Sequence, residues 1–263
     1  MMLEYLEWRK NKMDEKICYI MRGLPGSGKS TKVKELLKKH GASVHGHVFS
    51  SDRYFHPEAS KLDQLNIGSL DSDEKLIAAA TDVLNLWYDC KFSKMKKETE
   101  PAFLDFKKLY DKGQYKEALE TAKGIVPELE AIEYQSKWQA HLVPPSHLKM
   151  NNLFKQAIDK GISPVISDNT NVALRDMTSC VEYADKAGYE VHFIEPDSDH
   201  WKAHRKMLSD KYQNRDALSE FAKILSEKNT HGVPRATIEK MIAKWINIRG
   251  VDDVLNPKKD GKK

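Results

Sequence analysis

The stretch Ile17-Cys-Tyr-Ile-Met21-Arg22-Gly23-Leu-Pro-Gly-Ser-Gly28-Lys29-Ser30 decides the fold. Ile17 to Met21 is a short apolar run that ends at a glycine-rich turn, the pattern of a buried parallel strand. Gly23 to Ser30 then fits G-x-x-x-x-G-K-[ST] without a gap. Each demand of that pattern has a physical reason. Glycines let the backbone take unusual φ angles and approach an anion closely. Successive N–H groups form a nest at the start of a helix, where the helix dipole also favours negative charge. A lysine here reaches the β- and γ-phosphates of a nucleotide, and the hydroxyl of Ser30 suits Mg²⁺, a hard cation that takes oxygen ligands. The expected nucleotide site is Gly23, Pro25, Gly26, Ser27, Gly28, Lys29, Ser30 and Thr31.

Outward from this loop, Lys32 to His40 has Val33, Leu36 and Leu37 at helical spacing and Gly41 as its stop. Val48 to Ser50 reads as a second strand that delivers Asp52. Ile162 to Ser167 reads as a third, and Tyr189 to Ile194 as a fourth. A helix near Arg175 to Ala187 lies between the last two. Strands alternating with helices predict an α/β fold with a parallel sheet covered on both faces. Residues 57–133 break the rhythm. They carry no strand signal and several helical stripes: Leu76 to Trp87 after a capping box at Asp71 and Glu74, then Phe103 to Tyr110, then Tyr115 to Ala122 beyond Gly113. One half of a tetratricopeptide-like pattern occurs there, but a single copy is no array, and a plain helical hairpin is expected. Residues 200–228 read as a charged helical stretch. A last helix starts at Pro234, points Ile238, Met241, Ile242 and Trp245 inward, and stops near Gly250. The expected organisation is a P-loop kinase domain over 1–56 and 134–256, an inserted helical subdomain over 57–133, and a basic tail over 257–263.

The chain has 263 residues, 40% hydrophobic and 31% charged, which suits a globular protein with a full core. No apolar run approaches the roughly 18 residues of a membrane-spanning helix. The charged N-terminus has no apolar segment of a secretory signal, so a cytoplasmic location is expected, or a nuclear one in a eukaryote. Cys18, Cys90 and Cys180 are far apart and in no metal-ligand spacing, which suits reduced, packed thiols. The net charge of +4 divides unevenly: 57–133 holds 11 lysines, no arginine and 16 acidic residues, a balance of −5, so the remainder carries +9. A basic frame suits a polyanionic partner, although a nucleotide site alone also needs local positive charge.

Four further stretches carry a resemblance: Ser50-Ser51-Asp52-Arg53-Tyr54-Phe55, Gly161 to Asn171 with Asp168-Asn169-Thr170-Asn171 at its end, His192 to Asp197, and Asn229 to Pro234. With the phosphate loop they resemble the P-loop polynucleotide kinase family, which holds phage-type 5′-hydroxyl polynucleotide kinase domains, related eukaryotic kinase domains and the N-terminal domain of 2′,3′-cyclic-nucleotide phosphodiesterase. The match covers 16–56 and about 147–250 and skips 57–133. The resemblance implies transfer of the ATP γ-phosphate, with Mg²⁺, to a 5′-hydroxyl of RNA or DNA. It makes Asp52 the general base, a role that a carboxylate opposite the loop would also suit chemically; a helix cap or a Mg²⁺-water contact would suit the same residue.

The resemblance also places Asp168 on a Mg²⁺-bound water and Asn169, Thr170 and Asn171 along the acceptor channel, at the strand end where open α/β sheets bind ligands. The same four residues would suit a turn that caps the next helix. The family's lid arginine is replaced by Lys228, which lacks the bidentate fork, with Arg205, Arg215 and Arg235 as other sources of a guanidinium. The phage-type arginine three residues after the base is replaced by Phe55. That leaves Arg53 or His56 to meet the acceptor, or Phe55 to stack on a base. His147 and Asn151 lie on the helix before the third strand. No histidine spacing suggests zinc, and no phosphodiesterase or phosphatase signature occurs. Two rivals stay open: a kinase of a small-molecule hydroxyl such as a nucleoside, sugar or antibiotic, and a nucleotide-switched interaction module whose helical insertion binds a protein.

Overall fold

A computed structural model describes residues 15–89, 93–211 and 214–257. Cys90 and the lysine-rich end beyond Pro257 lie outside the described residues. By their contacts the residues fall into two compact units, one up to Ser51 and from His147 on, the other Asp52–Ser146. No helix of the described residues is long and apolar enough to cross a membrane.

The first unit is the α/β body. Its strands are β1 (Ile17–Met21), β2 (Val48–Phe49), β3 (Val165–Ser167) and β4 (Glu190–Ile194). They form one parallel sheet in the order β2-β3-β1-β4, with Cys18 opposite Val165 and Val191. Every residue of β1 is buried, and alternate residues feed opposite layers, as the two-residue strand period requires. Ile17, Tyr19 and Met21 pack with Val33, Leu36 and Leu37 of helix α1 (Lys29–His40). Cys18 and Ile20 pack on the other face with Met150, Phe154, Met177 and Val181. Pro164 offers no N–H to a ladder, and β3 starts after it rather than at Ile162. Helix α1 ends as expected at Gly41, whose φ of 63° lets its N–H return to the carbonyls of Leu37 and Lys38.

The second unit is helical: α2 (Pro57–Gln64), α3 (Asp73–Asp89), α4 (Ser93–Asp111), α5 (Tyr115–Lys123) and α6 (Val126–Lys137). Its core joins Val83, Trp87, Phe103, Phe106, Leu119, Leu129 and Ile132, the stripes visible in the sequence. Trp87 and Phe103 lie ring on ring at 4.0 Å. Gly113 at φ 73° closes the hairpin between α4 and α5. The Asp71 cap is corrected: Ser72 Oγ accepts the Lys75 N–H at 3.4 Å, and the Asp71 carboxylate takes the Lys75 ammonium at 2.7 Å instead.

Boundaries drawn at 57 and 133 put Asp52 and Tyr134 with the kinase frame, whereas the contacts put both in the helical unit. The reason is local. Glu133, fully buried, accepts the N–H groups of Glu58 at 3.2 Å and Ala59 at 2.8 Å and holds Lys137 at 2.5 Å. It caps, from a distant helix, the first turn of α2, whose own N-cap His56 makes no side-chain cap bond. Glu133→Ala would strand one buried and one part-buried donor, so a loss of about 3 kcal/mol is expected. A lowered thermal midpoint with the P-loop's nucleotide binding intact would check it.

The remaining elements are α7 (Val143–Asp159), which belongs to the first unit from His147 on, and, within that unit, α8 (Leu174–Lys186), α9 (Asp199–Arg205), α10 (Arg215–Lys228), α11 (Arg235–Lys244) and α12 (Val251–Leu255). The charged stretch 200–228 is not one helix: a 3-10 turn over Lys206–Ser209 interrupts it. The last long helix stops at Lys244 because Trp245 turns extended at ψ 133°. Leu24, Trp201, Phe221, Leu225, Ile238 and Trp245 gather α9, α10 and α11 against the loop's own leucine.

Candidate active site

All four strands are parallel, so Arg22, Ser50, Asp168 and Glu195 leave the sheet at the same carboxyl edge. Ligands bind at that edge in open α/β sheets. From β1 the chain passes through Arg22 into Gly23, whose N–H donates to the Thr170 carbonyl at 3.1 Å. Ser27 N–H returns to the Leu24 carbonyl at 3.1 Å. Gly26 at φ 75° and Gly28 at φ 96° hold conformations that side chains resist. A Cβ on Gly23 would lie 2.7 Å from Ser27 Oγ and 2.9 Å from Lys29 Cγ.

Two side chains from the start of α9 grip this loop from outside. Ser198 Oγ donates to the Ser27 carbonyl at 2.8 Å, and His200 Nε2 donates to the Gly26 carbonyl at 2.9 Å. A trans peptide sets its N–H opposite its C=O, so the grip on Ser27 turns the Gly28 N–H to the other side. The i→i−4 ladder of α1 starts with Lys32 N–H on the Gly28 carbonyl. The amides of Lys29, Ser30 and Thr31 precede it and have no helical acceptor. Ser27 Oγ is buried without a hydrogen-bond partner. Orphaned donors around a cradle that a Cβ would fill fit a nucleotide's phosphates. Ser30 and Thr31, exposed on the first turn, fit a Mg²⁺ carried with them. Among the described residues no cluster of three His, Cys, Asp or Glu forms a protein-only metal cage.

The third strand's end divides the expected acceptor residues. Asp168, half-buried, follows β3, its N–H on the Phe49 carbonyl at 2.9 Å. Asn169, 7% exposed, accepts both the N–H of Ser51 at 3.0 Å and its hydroxyl at 2.8 Å, while its buried Nδ2 has no partner. Thr170 gives its carbonyl to the loop. Asn171 is corrected. It is 1% exposed, sits at φ 47°, and donates from Nδ2 to the Met21 carbonyl at 2.7 Å. It fastens the strand end through Nδ2, and its buried Oδ1 has no partner.

Of the basic candidates, α10 brings Lys228 to the loop. A Cβ on Gly26 would lie 2.3 Å from the Leu225 carbonyl oxygen and 3.1 Å from the Asn229 nitrogen, the two residues that bracket Lys228. Asn229 locks the turn that follows, donating from Nδ2 to the Ser226 carbonyl at 2.8 Å and accepting the Val233 N–H at 2.6 Å. Arg205 and Arg235 are committed elsewhere, Arg205 to Glu195 and Arg235 to Glu239. Arg215 lines a separate cavity of about 330 Å³ with Lys211, Ser219 and Glu239.

The sequence reading overlooked Arg22, which is 1% exposed. Its Nε donates to the Asn171 carbonyl at 3.2 Å and its Nη2 to the Ile246 carbonyl at 2.6 Å, and its Nη1 lies 3.6 Å from Glu195. Its guanidinium covers the Trp245 ring at 4.4 Å. Burial pushes its pKa down to about 10, against the pull of Glu195 upward, so it stays charged at neutral pH. The stretch His192 to Asp197 held a signal for this pair in its glutamate. Nothing pointed to Trp245 as the ring.

Asp52, Arg53 and Phe55 belong to the helical unit. Asp52 lies in a 3-10 turn over Ser51–Tyr54, and its carbonyl accepts the Phe55 N–H at 2.9 Å. The Tyr134 hydroxyl donates to its carboxylate. Phe55 is corrected: it is 2% exposed and packs edge-on against Tyr54 at 5.2 Å and Tyr134 at 5.4 Å, so its faces are taken by protein and not by a base. Arg53 stays half-buried on the same turn.

A strand, a glycine cradle and a lysine-led helix on a four-strand parallel sheet define a P-loop nucleotide-binding protein of kinase and NTPase type. The chain belongs to the AAA domain family, whose model matches residues 19–244. It is similar to NEDD4-binding protein 2 of Homo sapiens, 31% identical over 125 residues. That overlap is 48% of this chain and 6% of the human protein, so the chain spans only a small part of that relative's length. No solved structure matches the chain.

Proposed function

We propose that the chain is an ATP- and Mg²⁺-dependent kinase that transfers the γ-phosphate to a 5′-hydroxyl of RNA or DNA. The observation that carries this reading is the Ser51–Asn169 clasp. It pins the residue before Asp52 to the end of β3, the strand beside β1 at the edge where the phosphate loop begins. In this reading Lys29 and the loop amides hold the triphosphate, and Lys228 balances charge as it develops. Ser30, and Asp168 through a water, would hold a Mg²⁺, which would supply withdrawal of charge from the phosphate oxygens. Asp52 takes the proton of the acceptor hydroxyl as its oxygen bonds to the γ-phosphorus. The bond from that phosphorus to the β–γ bridging oxygen breaks, and ADP leaves. Asn169 Nδ2, buried without a partner, is a donor available to the acceptor or its phosphate. The excess of positive charge outside 57–133 favours a polyanionic acceptor over a small alcohol.

The test is label transfer from γ-labelled ATP to 5′-hydroxyl RNA and DNA oligonucleotides, beside the same oligonucleotides bearing a 5′-phosphate and a panel of nucleosides, sugars and aminoglycosides. Label on the 5′-hydroxyl strands, none on the phosphorylated ones, and its loss with a Mg²⁺ chelator are expected. Label confined to a small alcohol would overturn the nucleic-acid acceptor.

A further inference from the structure

We propose that Tyr134 is the positioning residue for the Asp52 carboxylate, and that holding this carboxylate is what the last helix of the helical unit contributes to the reaction. The inference rests on the reading of Asp52 as the base. Tyr134 stands near the C-terminal end of α6, 8% exposed. Its hydroxyl meets the Asp52 carboxylate, and its ring takes the edge of Phe55 at 5.4 Å and 77°. Phe55 N–H in turn closes on the Asp52 carbonyl at 2.9 Å. One side chain therefore fixes both ends of the turn, the carboxylate by a hydrogen bond and the backbone by packing.

Glu133, the neighbouring residue, holds the first amides of α2, which follows that turn. Two consecutive residues of α6 thus set the position of residues 52–59. Burial first, then the charge of Asp52 and the bond to it, hold the Tyr134 phenol well above its ordinary pKa, so it remains a neutral donor throughout the working range. A carboxylate held by a donor that stays neutral keeps one orientation, and the packed Tyr134 ring removes rotamers of that donor that point elsewhere. The arrangement is that of a base oriented by a third group. Packing alone would need only the ring, and phenylalanine would provide it.

That difference makes the test. Tyr134→Phe keeps the ring and removes the oxygen. Single-turnover and steady-state transfer from γ-labelled ATP are measured for Tyr134→Phe, Asp52→Asn and the double variant, with slow hydrolysis to water followed in the same reactions. Tyr134→Phe is expected to lower kcat about 10- to 100-fold with KM for ATP unchanged. Added to Asp52→Asn it is expected to cost less than about 2-fold more, because the oriented group is already gone. An unchanged kcat in Tyr134→Phe overturns the proposal. So does a loss that multiplies in full on the Asp52→Asn background, since that would act through the fold. If Asp52→Asn itself retains transfer and hydrolysis, the base reading falls and the positioning role falls with it. If Asp52→Asn loses them while Tyr134→Phe does not, the base stands and only the role of Tyr134 is lost.

Discussion

Asp52→Asn is expected to lower kcat for phosphoryl transfer by about 10²–10⁴-fold, the usual worth of general acid–base catalysis, with ATP binding unchanged. Asparagine has nearly the shape of aspartate and still accepts the Tyr134 hydroxyl through its carbonyl oxygen. The turn over Ser51–Tyr54 closes through backbone, and Phe55 packs through its ring. What disappears is the group able to take a proton from the acceptor. Initial rates with 5′-hydroxyl oligonucleotides, beside the ATP-induced rise in thermal midpoint, separate the two effects. A variant that binds ATP normally and transfers at the wild-type rate would remove Asp52 from the chemistry.

Gly26→Ala is expected to weaken ATP binding by 100-fold or more, about 2.7 kcal/mol. Two costs coincide at this position. The φ of 75° lies where a side chain adds about 1–3 kcal/mol of strain. The added Cβ would also meet the Leu225 carbonyl oxygen at 2.3 Å, a backbone atom at the end of α10 that no rotamer change can move aside. The loop must then retreat from α10, and the nest loses its shape. In wild type, ATP at a hundred times its Kd should stabilise the fold by about 2.7 kcal/mol, and most of that gain should vanish in the variant. Gly41→Ala is the control. Its φ of 63° carries similar strain, yet nothing lies within 4 Å of the new Cβ. It should lose a little stability and keep its ATP response. Equal responses from the two variants would refute the steric account.

What the sequence made visible was whatever is encoded over a few residues. Ile17 to Ser30 specified strand, loop and helix because burial period, glycine φ and phosphate chemistry all act locally there. The stripes of the helical unit were visible for the same reason, since Trp87, Phe103 and Leu119 recur at the helical period. The misreadings share a cause too. Phe55 and Asn171 look like exposed site residues until their partners are known, and those partners, Tyr134 and Met21, are remote in the chain. The Asp71 cap lost to Ser72, one residue away, a choice that propensity scarcely separates. The break between α9 and α10 follows from packing around Trp201 and Trp245, which no local pattern announces. Where to divide the chain was equally obscure, because the bonds of Glu133 and Tyr134 to residues 52–59 decide it.

The buried arginine ahead of the loop has a consequence for how this chain can change over generations. Its planar cation serves two carbonyls, a carboxylate and an indole at once, from the segments that follow β3, β4 and the chain's last long helix. An ammonium offers no such fork. Drift at Glu195 is therefore tied to Arg22: an exchange of the glutamate alone takes the ion partner from a cation that is 1% exposed, and joint replacement would let descendants depart from the pair.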